Sequence, residues 1–89
     1  MNMKLWNFLE KISEIEDKTI YIENYQYEQD PTDGSEEHSI EINCEDNESE
    51  TYEASYLLTA DTRENLEKQV EFLKNEYLEG IEIVEDCCE

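Results

Sequence analysis

The chain has 89 residues and a formal charge of −20, from 26 Asp and Glu against six Lys and Arg. A chain this short makes one domain that buries only about 60–65% of the surface its unfolded form exposes, and a field of this sign repels nucleic acid and anionic membranes while attracting basic proteins. No apolar run approaches the roughly 18–20 residues of a membrane span.

Residues 1–6 lack the apolar core of a signal peptide, and Cys44, Cys87 and Cys88 are too few for a complete disulfide framework. Both features lead to an expected cytoplasmic location. Leu, Ile, Val and Phe make up 19 of the 89 residues, beside the composition at which a highly charged chain stays unfolded. Six Tyr and one Trp shift the balance toward folding, because each buried aromatic ring removes roughly 150–250 Å² from water. Residues 1–86 are expected to form one domain, followed by a frayed acidic tail at 87–89.

The charge is segregated. Residues 19–62 run for 44 positions without a Lys or Arg and carry thirteen carboxylates. Residues 1–18 and 63–74 hold all six bases against seven acids, and residues 75–89 add six acids and no base. A folded surface of roughly 5,500 Å² then carries about one net negative charge per 270 Å², which opposes compaction and is relieved by salt. Solubility alone is served by a net charge of magnitude roughly 2–8.

Along the chain, Leu5, Phe8, Leu9 and Ile12 recur at helical spacing and predict a core-facing helix over residues 3–15. From Lys18 the period becomes two. Ile20 and Ile22 point inward on a first strand, while Tyr21, Glu23, Tyr25 and Tyr27 point outward. Residues 28–37 contain the only Pro and one of two Gly and predict the loop of a hairpin. On a second strand Ile40, Ile42 and Cys44 alternate with Glu41, Asn43 and Glu45. Asp46, Asn47, Glu48 and Ser49 supply a turn, and Tyr52, Ala54, Tyr56 and Leu58 are expected to face inward on a third strand, with Thr51, Glu53 and Ser55 outward.

Asp61 with Glu64 three residues on reads as a helix N-cap, and Leu66, Val70, Leu73 and Tyr77 continue at helical spacing toward a stop at Gly80. Ile81 to Val84 then read as a short last strand. The predicted fold is α+β in the order α-β-β-β-α-β. Its antiparallel three-stranded meander is covered by two helices on one face and wet on the other.

Catalytic chemistry leaves no signature: there is no nucleophile motif, no phosphate-cradling glycine loop and no metal-ligand spacing. Residues 30–37 place oxygen ligands around Gly34, but their spacing departs from a calcium loop and they lie between strands. Cys87 and Cys88 are adjacent, unlike the C-x₂₋₄-C of zinc sites, and His38 is remote from them. Neither an enzymatic activity, a cofactor nor a metal is expected.

A leading helix over 3–15, an acidic meander over 19–58 and a following helix over 61–79 resemble the small acidic inhibitors that phages and mobile elements direct against host nucleases, the anti-CRISPR and anti-restriction DNA mimics. The resemblance lies in architecture and charge and rests on no motif. It implies inhibition by occupancy in the host cytoplasm, with a basic nucleic-acid-binding protein, a nuclease or its recognition complex, as partner. Glu23, Asp33, Glu36, Glu37, Glu41, Glu45, Asp46, Glu48, Glu50 and Glu53 would engage the Arg and Lys that otherwise hold phosphates, and Tyr25 and Tyr27 are candidate anchors beside them. Two alternatives share the composition. One is an immunity protein or antitoxin against a basic nuclease. The other is an acidic adaptor that binds through the exterior of its second helix, at Glu67, Glu71 and Lys74.

Overall fold

A computed structural model describes residues 4–86. Its elements run α1 (Leu5–Ser13), β1 (Lys18–Gln29), β2 (Glu36–Asp46), β3 (Thr51–Ala60), α2 (Arg63–Glu76) and β4 (Glu82–Asp86). The fold is the expected α+β arrangement. β1, β2 and β3 form the antiparallel meander, and β4 adds to the far edge parallel to β1, giving the sheet order β3-β2-β1-β4. The Cys87 and Cys88 tail lies outside the described residues.

Both helices lie on one face of the sheet. Phe8, Ile12 and Ile15 from the first helical segment and Leu66, Leu73 and Leu78 from the second cover Ile20, Ile22, Ile40, Ile42, Cys44, Ala54 and Leu58. With nine residues and no side-chain cap at Lys4, α1 is too short to persist alone and is held by burial of Phe8 and Ile12. α2 is capped one residue later than expected: Thr62 Oγ1 accepts from the Asn65 backbone N–H at 3.0 Å, while Asp61 Oδ1 accepts from the Asn65 side-chain amide at 2.9 Å. It also ends at Glu76 instead of running to Gly80. The Leu78 N–H bonds to the Leu73 carbonyl, which tucks Leu78 into the core, and Gly80 (φ +84°) serves the turn into β4.

Two β-bulges change which side chains share a face. In β1 the register passes from Glu23 opposite Glu41 to Gln26 opposite Ser39, so Asn24 and Tyr25 share the place opposite Ile40. Asn24 takes up the extra residue in a left-handed conformation, φ +61°, that Asn tolerates better than most residues. In β3, Cys44 pairs with Ala54 but Glu45 pairs with Tyr52, leaving Glu53 as the extra residue.

The β1–β2 hairpin is longer than the sequence predicts. Its strands reach Gln29 and Glu36, and the connecting turn is closed by Asp30 N–H to Ser35 O and Gly34 N–H to Asp30 O, both 2.8 Å. Residues 28–37 are exposed. The molecule measures 45 × 25 × 24 Å.

Candidate nucleic-acid-mimicking interface

Strand pairing places Tyr21, Glu23, Glu41, Asn43, Glu45, Ser55, Tyr52 and Leu57 on the face away from the helices, with Glu82 of β4 beside Thr19. Beyond the β1 bulge the same face continues through Gln26 and Ser39 to Glu28 opposite Glu37. Six carboxylates therefore share this surface. Two pairs, Glu23 with Glu41 and Glu28 with Glu37, are direct cross-strand neighbours, an arrangement that costs stability because like charges face each other at about 5 Å.

Neutral donors hold the central carboxylates. Asn43, 4% exposed, donates its amide to Glu23 Oε2 at 2.8 Å and to Glu41 Oε1 at 3.5 Å, and its own carbonyl oxygen accepts from Ser55. The Asn24 amide donates to Glu41 Oε1 at 2.9 Å. Tyr21 donates to Glu45 at 2.9 Å, and Tyr52 reaches Glu23 at 3.4 Å, with the two rings 5.7 Å apart. The hydrogen bond to Glu45 pushes the Tyr21 phenol above its ordinary pKa, and burial followed by the Glu23 charge does the same for Tyr52, so both remain donors.

No cation neutralises this face among the described residues. Lys18 is the only Lys or Arg within a strand, and its Nζ donates to the Ile15 carbonyl on the helix side. The ion pairs lie elsewhere: Arg63–Glu67 and Lys68–Glu64 along α2 and Lys74–Glu85 between α2 and β4, while His38 Nε2 contacts Glu36 at 3.3 Å on the inner side of the hairpin. The result is an array of negative charge with no cation of this chain paired to it among the described residues.

The structure divides the sequence-predicted residues. Glu23, Glu37, Glu41 and Glu45 belong to the array. Asp46, Glu48 and Glu50 cluster at the β2–β3 turn, where Asp46 Oδ1 accepts the Glu48 N–H at 3.0 Å. Asp33 lies in the hairpin turn, its carboxyl held below the ordinary range by the Ser35 N–H at 2.9 Å. Glu53, displaced by its bulge, accepts from Thr51 at 2.6 Å.

Tyr25, Tyr27 and Glu36 face the helix side, contrary to the outward placement expected of the two tyrosines. The bulge at Asn24 reverses the alternation, and Tyr25 packs against the core with its hydroxyl 2.6 Å from His38 Nδ1. A ring protonated on Nε2 satisfies both neighbours, accepting from Tyr25 and donating to Glu36 at 3.3 Å. The Tyr27 ring lies against His38 at 4.9 Å, tilted by 45°, and the Arg63 guanidinium sits 4.7 Å over the Tyr25 ring. Conversely, Tyr52, expected inside, lies on the acidic face, 53% exposed.

Sequence reasoning also passes over Glu28 and Glu82 as members of the array. Glu28 falls in the stretch that reads as loop, and Glu82 joins only because β4 docks on β1. No group of three or more His, Cys, Asp or Glu is arranged to hold a metal ion among the described residues. No protein family, curated protein or solved structure matches this chain.

Proposed function

We propose that the protein is an acidic DNA-mimic inhibitor that occupies the basic nucleic-acid-binding site of a defence nuclease, of anti-CRISPR or anti-restriction type. The observation that carries this reading is the outer sheet face: six carboxylates without a cation among them, of which Glu23, Glu41 and Glu45 are oriented by Asn and Tyr donors.

Charge spacing supports the reading. From the row of Glu45 and Glu82 to that of Glu28 and Glu37 the array spans eight residues of β2, about 27 Å at about 3.4 Å per residue, or one carboxylate per roughly 4.5 Å. One strand of duplex DNA presents a phosphate per about 3.4 Å. The face thus offers a row of Arg and Lys a target close to the charge density of a single strand. Because Glu23, Glu41 and Glu45 are held in place before binding, little of their side-chain entropy is lost on contact. Inhibition needs no chemistry; it needs only that the array be occupied by the nuclease's phosphate-binding side chains, which predicts fast, salt-sensitive association.

The test is capture of proteins from host lysate on the immobilised chain, with the bound nuclease then assayed for cleavage. A variant carrying Glu23→Gln, Glu41→Gln and Glu45→Gln keeps the shape of the face and removes three charges. Loss of capture and of inhibition in that variant is the expected result. Undiminished inhibition of the captured nuclease would remove the outer face from the mechanism.

A further inference from the structure

The helical layer carries a feature that the acidic face does not explain. Trp6, Phe72 and Tyr77 are 69%, 56% and 39% exposed, and Tyr77 touches both of the other rings edge-to-face at 6.1 Å. Three solvent-facing aromatic rings in one contiguous cluster are a costly surface for a monomer and have the composition of a binding hot spot.

We infer that this cluster is the centre of a two-fold homodimer in which α2 packs antiparallel against α2 of a second copy, crossing at Phe72. The sequence of α2 identifies the occupant. A two-fold axis through Phe72 sets residues an equal number of positions before and after it against each other. Lys68 then faces Glu76 of the partner, and Gln69 faces Asn75, each contact occurring twice. All four residues are exposed on the same side of α2 as Phe72. The stripe is thus self-complementary in charge and in hydrogen bonding.

The charge distribution points the same way. Two copies of a chain of charge −20 repel through every strongly acidic surface, but α1 and α2 are nearly balanced, with four bases (Lys11, Arg63, Lys68, Lys74) against five acids (Glu10, Glu64, Glu67, Glu71, Glu76). Joined through α2, the copies direct their acidic sheet faces away from each other. This inference is independent of the function assigned to those faces.

Trp6 is the only tryptophan, so its emission reports on this surface directly. Sedimentation equilibrium and tryptophan fluorescence are measured on the full chain over a dilution series at moderate salt. The expected result is a concentration-dependent dimer whose formation shifts Trp6 emission to the blue, and which Phe72→Glu abolishes. Lys68→Glu and Glu76→Lys singly raise the dimer dissociation constant about tenfold or more, whereas the double exchange returns it to within about threefold of the parent. A chain that remains monomeric at concentrations where a dissociation constant of about 1 mM would show overturns the inference. So does a dimer that persists in Phe72→Glu, or one in which the double exchange fails to rescue the single variants while all of them retain the helical circular-dichroism spectrum.

Discussion

Replacing Asn43 with Asp changes one buried amide nitrogen to oxygen and leaves volume and shape intact. Asn43 donates to Glu23 at 2.8 Å and more weakly to Glu41 at 3.5 Å. The substitution removes those charge-assisted bonds, worth about 1.5–3 kcal/mol, and adds a third carboxylate to a pair that already face each other across the strands. At about 4 Å a further like-charge contact costs between about 1 kcal/mol in bulk water and about 4 kcal/mol at the dielectric of a protein surface. The combined loss at neutral pH is about 2.5–7 kcal/mol, a large part of the stability of a domain this small.

The sign of the pH dependence follows from the same contacts. Neighbouring carboxylates raise the folded-state pKa of the introduced carboxyl above its unfolded value, so the destabilisation is full above the folded pKa and disappears as pH falls through it and then through the unfolded value. Urea unfolding followed by Trp6 fluorescence and far-ultraviolet circular dichroism, at neutral pH and near pH 4, measures both. A neutral-pH loss under about 0.5 kcal/mol, or a loss that does not shrink on acidification, would refute the view that Asn43 holds the array together.

Glu41→Gln relieves the direct opposition of Glu23 and Glu41 and is expected to stabilise the fold by about 0.2–1 kcal/mol, less in high salt, in the same urea assay. Asn24→Val forces a β-branched side chain into the left-handed region at φ +61° and is expected to cost about 1–3 kcal/mol, whereas Asn24→Gly relaxes the backbone but forfeits the bond to Glu41. Tyr21 and Tyr52 have folded pKa values raised above 10.0, so their contribution to stability is complete below pH 10 and is lost as pH rises through the folded values; alkaline titration of their ring signals by NMR should show both ionising above 10.0, with Tyr21 returning toward that value in Glu45→Gln. Cys44 is fully buried, and burial raises its thiol pKa; in a Cys87→Ser, Cys88→Ser background it should react with a thiol reagent only at the rate of unfolding.

The element order was legible because Leu5, Phe8, Leu9 and Ile12 and then Ile20, Ile22, Ile40 and Ile42 keep clean helical and strand periods, and burial enforces those periods. The outer membership of Glu23, Glu41, Asn43 and Glu45 followed from the same alternation. What the alternation could not carry was its own interruption. Strict period two puts Asn24 in the core after Ile22, and that polar residue at an inward place was the visible trace of the bulge that turns Tyr25 and Tyr27 toward the helices. Tyr52 moved to the acidic face for the parallel reason at Glu53, where no residue of unusual backbone tolerance marks the site. Glu82 entered the array through a long-range pairing of β4 with β1, which local pattern does not encode.

The most direct test of the central claim is competition on the captured nuclease. Binding of a labelled DNA duplex to that enzyme is measured against increasing concentrations of this protein and of its Glu23→Gln, Glu41→Gln, Glu45→Gln variant. If the outer face stands in for a nucleic-acid backbone, the apparent dissociation constant for DNA rises in proportion to the concentration of the parent protein and the variant is much weaker. A ternary complex of enzyme, DNA and this protein, with DNA affinity unchanged, would contradict it.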